Sequence, residues 1–327
     1  MKRRDVLKAG AGSFAAAMTA WSGAGPARAN DWPTKPIRIV VPFTAGSAVD
    51  LVARAVFDQV SKQVGQPGVV ENRPAGGGAI AINAVKSAEH DGHTILAHSN
   101  SLITTPAIQA MAWDPPRDFS GITPLGNVPL VLVISPDKNI KTLKELVDAA
   151  KARPGALNYA AAGIGSPPHL TMERFRIAAG FTGQLVPFRG APEALTEIMG
   201  GRVDMYFCPL TPAMQLIQDR KLVALAVSSA KRASALPDVP TTIEAGFPNS
   251  DFEFWIGAVV TKQTPRAIVD RIHAETIKAI QNPVTTERFS KMGVDTLIES
   301  TAAFDARIAR ETPVAVELAK AAGLGKS

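Results

Sequence analysis

Ile37-Arg-Ile-Val-Val-Pro-Phe-Thr-Ala-Gly-Ser-Ala-Val-Asp50 joins an apolar run, a small-residue loop and the opening of an amphipathic segment. Val52, Val56, Val60 and Val64 then recur every fourth residue with Ala53 and Phe57 beside them, while Arg54, Asp58 and Lys62 fall on the opposite face. This spacing predicts a strand followed by a long helix packed on a sheet. Between the two, Phe43, Thr44, Ala45, Gly46, Ser47 and Ala48 lead to Asp50 through side chains mostly too small to block a ligand. Their backbone N–H groups can turn toward an anion at the positive end of the helix dipole. Each charge-assisted hydrogen bond contributes roughly 1.5–3 kcal/mol, so several convergent donors would hold a carboxylate. A plain strand-to-helix turn has the same composition.

The pattern returns further along. Leu157-Asn-Tyr-Ala160 reads as a strand, Ala161-Ala-Gly-Ile-Gly-Ser166 as a second small-residue loop, and Pro167-Pro168-His169 as a helix start, where proline is tolerated because those N–H groups are orphans. Two such ends, at Ala45-Gly46 and at Gly163 to Gly165, suggest a clamp. Ser166 fits as helix N-cap and ligand hydrogen-bonder, and His169 as a packed residue or a contact. Other strands run out at the same edge, where open α/β sheets bind ligands. Ser99, Asn100 and Ser101 end one of them and either line the site or cap the next helix; Phe188 and Cys208 end two more.

Enzymatic signatures are missing. Gly163-Ile-Gly165-Ser166-Pro167 is not the G-x-S-x-G elbow, and Pro74-Ala-Gly-Gly-Gly78 matches no nucleotide fingerprint and reads as a structural loop. His90, His93 and His98 are close in sequence, but a turn and a strand separate them, so no metal site is expected. Thr142-Leu-Lys-Glu145 is a capping box, Leu130–Ile134 suits a buried parallel strand, and Trp113–Phe119 reads as an irregular surface loop.

With 327 residues, 46% hydrophobic and 20% charged, the chain has material for two domains, and its lone cysteine excludes a disulfide framework. Met1 to Lys8 is basic, Ala9 to Gly25 apolar and small, and Ala27-Arg28-Ala29 fits a cleavage site, so 1–29 reads as an export signal with a twin-arginine pair at Arg3-Arg4. Gly23, Gly25 and Pro26 interrupt the apolar stretch and argue against a permanent membrane anchor. Those 29 residues carry five basic side chains and Asp5, four of the six net positive charges, leaving +2 on the remainder. That balance, without clustered basic residues, does not suggest nucleic-acid binding.

Val40-Val-Pro-Phe43, Ala45-Gly46, Asp50, Glu71-Asn-Arg-Pro74, Gly76-Gly77, Asp91-Gly92, Arg153-Pro-Gly155, Leu157-Asn-Tyr159, His169-Leu170, Ala224-Leu-Ala-Val227 and Ala235-Leu-Pro-Asp-Val-Pro-Thr241 occur here in one order. In that combination the chain resembles the Bug family, the extracytoplasmic solute receptors of tripartite tricarboxylate transporters. The resemblance implies a two-lobed α/β fold of the type II periplasmic-binding-protein kind, each lobe a mostly parallel sheet flanked by helices, with the ligand cleft between lobes. Lobe 1 would take 30–127 plus 255–327 and lobe 2 would take 128–254. It also implies a periplasmic monomer with no cofactor and no catalysis, a small carboxylate held by the loops Phe43–Asp50 and Gly163–His169, and membrane transport subunits as partners. A signalling receptor and a secreted hydrolase are the competing functions.

Two positions depart from the family pattern, Ser47 for a second glycine and Cys208 for an aspartate. Cysteine is a poor acceptor for an ammonium, so the expected ligand is an acid without an α-amino group, its body against Phe43, Phe188 or Trp255. Alternatively, Cys208 packs in the core.

Overall fold

The computed structural model describes residues 32–324, so the proposed export signal lies outside the described residues. The chain opens with β1 (Ile37–Val41), α1 (Ala48–Val64), β2 (Gly68–Asn72), α2 (Ala79–Lys86), β3 (Thr94–Ser99), α3 (Ser101–Ile108), α4 (Pro115–Asp118) and β4 (Phe119–Asn127). A second series follows: β5 (Leu130–Ile134), α5 (Leu143–Ala152), β6 (Asn158–Ala161), α6 (Pro167–Ala179), β7 (Gln184–Pro187), α7 (Ala191–Met199), β8 (Met205–Pro209), α8 (Leu210–Gln218) and β9 (Val223–Val227). The chain closes with β10 (Trp255–Thr261), α9 (Arg266–Gln281), α10 (Pro283–Met292) and α11 (Thr301–Ala321).

These strands form two sheets, ordered β2-β1-β3-β10-β4 and β7-β6-β8-β5-β9. The chain crosses from the first to the second between Asn127 and Leu130 and returns between Val227 and Trp255. The connections run side by side, Val128 N donating to Phe254 O at 2.8 Å. Helices flank both sheets, giving the two-lobed architecture of periplasmic binding proteins. Each sheet is mixed: β1 is parallel to β2 and β3 while β10 is antiparallel to β3 and β4, and β6 is parallel to β7 and β8 while β5 is antiparallel to β8 and β9.

The apolar stripe of α1 explains the first sheet's packing. Val52, Ala53, Val56, Phe57 and Val60 are buried with Ile37, Ile39 and Val41 of β1, each large side chain contributing about 1.5–3 kcal/mol. Ser47 Oγ accepts from Asp50 N at the start of this helix, and Gly65 ends it with a positive φ of 70°.

Two local expectations differ, and one strand has no sequence pattern that announces it. Leu130–Ile134 is wholly buried but antiparallel to both neighbours, because any central strand covered on both faces reads as an unbroken apolar run whatever its direction. Trp113 is buried, its Nε1 donating to Leu102 O at 2.9 Å, and Pro115–Asp118 form one helical turn with Asp114 as N-cap. The nine residues of β4, Phe-Ser-Gly-Ile-Thr-Pro-Leu-Gly-Asn, lack an alternating pattern, and Pro124 is tolerated because β4 is the sheet edge.

Candidate ligand-binding cleft

The carboxyl ends of β1, β3, β6 and β8 open onto one cleft between the lobes. Its larger cavity, about 180 Å³, is lined by Phe43, the glycines 76–78, His98, Ser101, Thr105, Gly163, Ser166, Phe188 and Arg189, among others. A smaller one, about 20 Å³ and near the size of one water, lies at the starts of α1, α6, α7 and α8, with Phe43, Ser47, Ala48, Ser99, Ser166 and Phe254 in its wall. Phe43 and Ser166 belong to both. Four helix N-termini therefore direct positive dipole ends at one place.

The donors are unequally available. The Ala48 and Val49 amides, at the first two positions of α1, have no acceptor within their helix. In the second loop the Gly163 and Ile164 amides make no hydrogen bond among the described residues. Gly165 N, by contrast, donates to His169 Nδ1 at 3.1 Å, and Ser166 N to Gly163 O at 3.3 Å. Ser166 is the N-cap residue of α6, yet its Oγ makes no cap bond. Pro167 and Pro168 have no N–H to offer it, the His169 amide does not bond it, and the hydroxyl is buried and unpartnered against the cavity.

Of the expected site residues, Phe43, Ser47, Ala48, Ser99, Gly163, Ser166 and Phe188 are brought together around the two cavities. The others are placed elsewhere. Asp50 is committed internally: Oδ2 accepts from Gly46 N, and Oδ1 from Arg54 Nε and Asn72 Nδ2, each at 2.9 Å. It ties the first loop to the end of β2 rather than reaching a ligand. Ala45 and Gly46 shape that loop, Gly46 with φ 78° and its α-carbon facing Pro192. Asn100 donates from Nδ2 to Glu253 O at 3.0 Å and joins α3 to the returning chain. Gly165, with φ 80°, lies against the backbone of Thr105 across the cleft.

His169 is buried and stacked on Tyr159 with ring centroids 6.4 Å apart, and burial keeps it below its ordinary pKa. As a neutral acceptor it holds the Gly165 amide, and so the loop. Cys208 is buried in β8 with Sγ donating to Pro209 O at 3.2 Å, and burial pushes its thiol pKa up. It packs in the core and lines neither cavity. Trp255 faces the other side of its sheet, with Nε1 donating to Glu311 Oε2 at 2.8 Å and its ring edge-on to Phe304. Alternation along a strand reverses the face with each residue, and the neighbouring Phe254 is the residue at the cavity.

Ser101, expected beside Ser99, lines the larger cavity, and so do Gly76, Gly77, Gly78, His98, Thr105 and Arg189, which no sequence pattern singled out as site residues. The glycine triplet carries three successive positive φ values, 61°, 61° and 96°, and its lack of side chains lets it form the cavity wall. A signal was present: this loop follows a strand at the same sheet edge as the two that were chosen. His90 and His93 are engaged elsewhere, with Thr261 Oγ1 and Thr34 N, at 3.0 Å each. Among the described residues no cluster of metal-ligating side chains forms, and no helix is long and apolar enough to cross a membrane.

Comparison with known proteins agrees with this architecture. The model of the "Tripartite tricarboxylate transporter family receptor" matches residues 52–324. A UPF0065 protein from the tcbD-tcbE intergenic region of Pseudomonas sp. is 36% identical over 296 residues, covering 90% of this chain and 87% of its own length. The solved periplasmic binding protein BugD is 30% identical with a TM-score of 0.86, over 90% of this chain and all of its own. The R. palustris protein Rpa4515, solved with adipate, is 28% identical with a TM-score of 0.87, over 90% and 99%. A cleft closed by two lobes, lined by helix N-termini and matched over almost its whole length to binding proteins rather than enzymes, places this chain in the tripartite tricarboxylate transporter receptor family.

Proposed function

We propose that the chain is an exported, periplasmic monomer that captures a small carboxylate without an α-ammonium group and passes it to the membrane subunits of a tripartite tricarboxylate-type transporter. Residues 1–29 would direct export, by the twin-arginine route, and lobes of 30–127 with 255–327 and of 128–254 would close on the solute. The observation that carries this reading is the charge of the wall. Among the described residues Arg189 is the only charged side chain lining either cavity, and no aspartate or glutamate lines them. Unpaired loop amides and the Ser166 hydroxyl supply further donors.

An anion gains these donors, whereas an ammonium entering the same space loses water with no carboxylate to receive it. The expected preference therefore stands although Cys208, the residue that first motivated it, is in the core. Adipate, bound by the similar R. palustris protein, is an acid of this kind. The test is calorimetric titration with pairs of acids differing only in an α-amino group. The des-amino member should bind at least tenfold more tightly, about 1.4 kcal/mol; tighter binding of the amino acid in each pair would overturn the reading.

A further inference from the structure

His98, next to last in β3, lines the larger cavity with Phe43 edge-on to its ring, centroids 5.7 Å apart. Its Nδ1 lies 3.0 Å from Ser99 O and 3.3 Å from Ser101 Oγ. A carbonyl oxygen only accepts, so Nδ1 carries the proton. Nε2 is then a lone-pair acceptor, and burial lowers the ring's pKa to about 4, which keeps it neutral near pH 7. The residue is 3% exposed and Nε2 has no hydrogen-bond partner.

The surroundings of Nε2 narrow what can satisfy it. It lies toward Gly78, which with Pro42 is in the cavity wall, and a Cβ at Gly78 would come within 3.5 Å of it. Glycine leaves only hydrogen on that side. The Gly78 amide is already used, donating to Ala75 O at 3.1 Å. A buried acceptor left unpaired is destabilising, and a carboxylate oxygen, having no proton, cannot relieve it.

We propose that His98 selects the ligand by a hydroxyl group, Nε2 accepting a hydrogen bond from an alcohol on the carbon skeleton of the bound acid. The solute is then a hydroxy acid, its carboxylate held by the loop amides and its hydroxyl turned to the corner between Pro42 and Gly78. A site built to pair with a substrate hydroxyl rejects the analogue lacking it more strongly than an apolar pocket rejects a lost methylene. The inference rests on the carboxylate reading above.

The test is titration of the wild-type protein with matched acids: malate and succinate, 3-hydroxybutyrate and butyrate, 4-hydroxybenzoate and benzoate. In the pair that binds, the hydroxy member should be at least tenfold tighter, and His98→Phe, checked for folding by thermal melting, should reduce that ratio to near unity. Binding of the plain acid as tightly as its hydroxy partner overturns the inference while leaving the carboxylate reading intact, and means that Nε2 is served by water. A ratio unchanged in folded His98→Phe also overturns it. Binding of neither member of any pair, nor of any acid in the amino and des-amino pairs, overturns both. Should His98→Phe not fold, the wild-type ratio alone decides.

Discussion

Ser47 and Ser166 stand at equivalent places, each the N-cap of a helix opening onto the cleft, but they do different things. Ser47 Oγ accepts from Asp50 N at 3.3 Å, whereas Ser166 Oγ has no partner: Pro167 and Pro168 lack an N–H, and the amide of His169, at the place equivalent to Asp50, makes no bond to it. Ser47→Ala should therefore lower stability by about 1 kcal/mol, the usual cost of a lost cap. Ser166→Ala should leave the melting temperature unchanged or slightly raised and weaken ligand binding about tenfold or more, the worth of a hydrogen bond to a charged group. Equal effects of the two substitutions on melting and titration would contradict this division. His98 makes a further prediction at the same scale. Its folded pKa of about 4 lies below the ordinary 6.5, so in that interval the unfolded chain binds the proton first. The contribution to stability is fully present above pH 6.5 and is lost as the pH falls toward 4, at up to about 1.4 kcal/mol per pH unit. The difference in unfolding free energy between wild type and His98→Gln should be flat above pH 7 and narrow on acidification. A difference independent of pH would mean that His98 is solvated.

At the level of elements, α11 lies on the first sheet where the sheet has no side chains. A Cβ on Gly257 of β10 would overlap the Phe304 ring, and one on Gly121 of β4 would come within 2.7 Å of it. Phe304 in turn meets Trp255 edge to face at 5.3 Å between centroids. Helix and strands thus fit by deletion of two side chains. Gly257→Ala should cost about 1–3 kcal/mol through overpacking, measurable by urea denaturation, and Phe304→Leu should restore part of it. Additive losses in the double variant would show that the two residues do not share this contact. The same stretch carries the missed face: Trp255 is turned to α11 and Phe254, just before β10, to the cleft, and every residue from Phe254 to Val260 is apolar, so no alternation marks which face is which.

The molecule as a whole is held closed by contacts that cross the cleft. Thr104 Oγ1 donates to Gly165 O at 2.7 Å and Gln109 Nε2 to Ile164 O at 3.0 Å, joining α3 of one lobe to the second loop of the other. On the opposite side Thr44 lies so close to Gly190 that a Cβ there would overlap its hydroxyl. Gly190 is extended, with φ −177°, a conformation any residue adopts, so a side chain conflicts with closure and not with the local fold. Gly190→Val should leave thermal stability nearly unchanged, enlarge the radius of gyration by small-angle scattering in the presence of ligand, and reduce affinity at least tenfold. Wild-type affinity in that variant would show that the lobes need not approach this closely. Closure of this kind lets donors from both lobes reach one molecule at once.

Elements whose cause is local were legible from the residues alone. The i, i+4 apolar stripe of α1 and the two small-residue loops ahead of helix starts lie within a few consecutive residues, and the ordered set of short motifs marked the family. Which polar groups remain for a ligand, in contrast, depends on the packed chain. The Gly165 amide is taken by His169 four residues later, the Asp50 carboxylate by Arg54 and Asn72, and the Trp255 indole by Glu311. Some of those partners are near in the chain and some far, but each pairing depends on where a side chain points once the lobes are packed. His98 was discounted because a metal was the only role its neighbours suggested. Its place in the cleft comes from β3 ending beside the glycine loop, a proximity fixed by sheet order and invisible in sequence spacing.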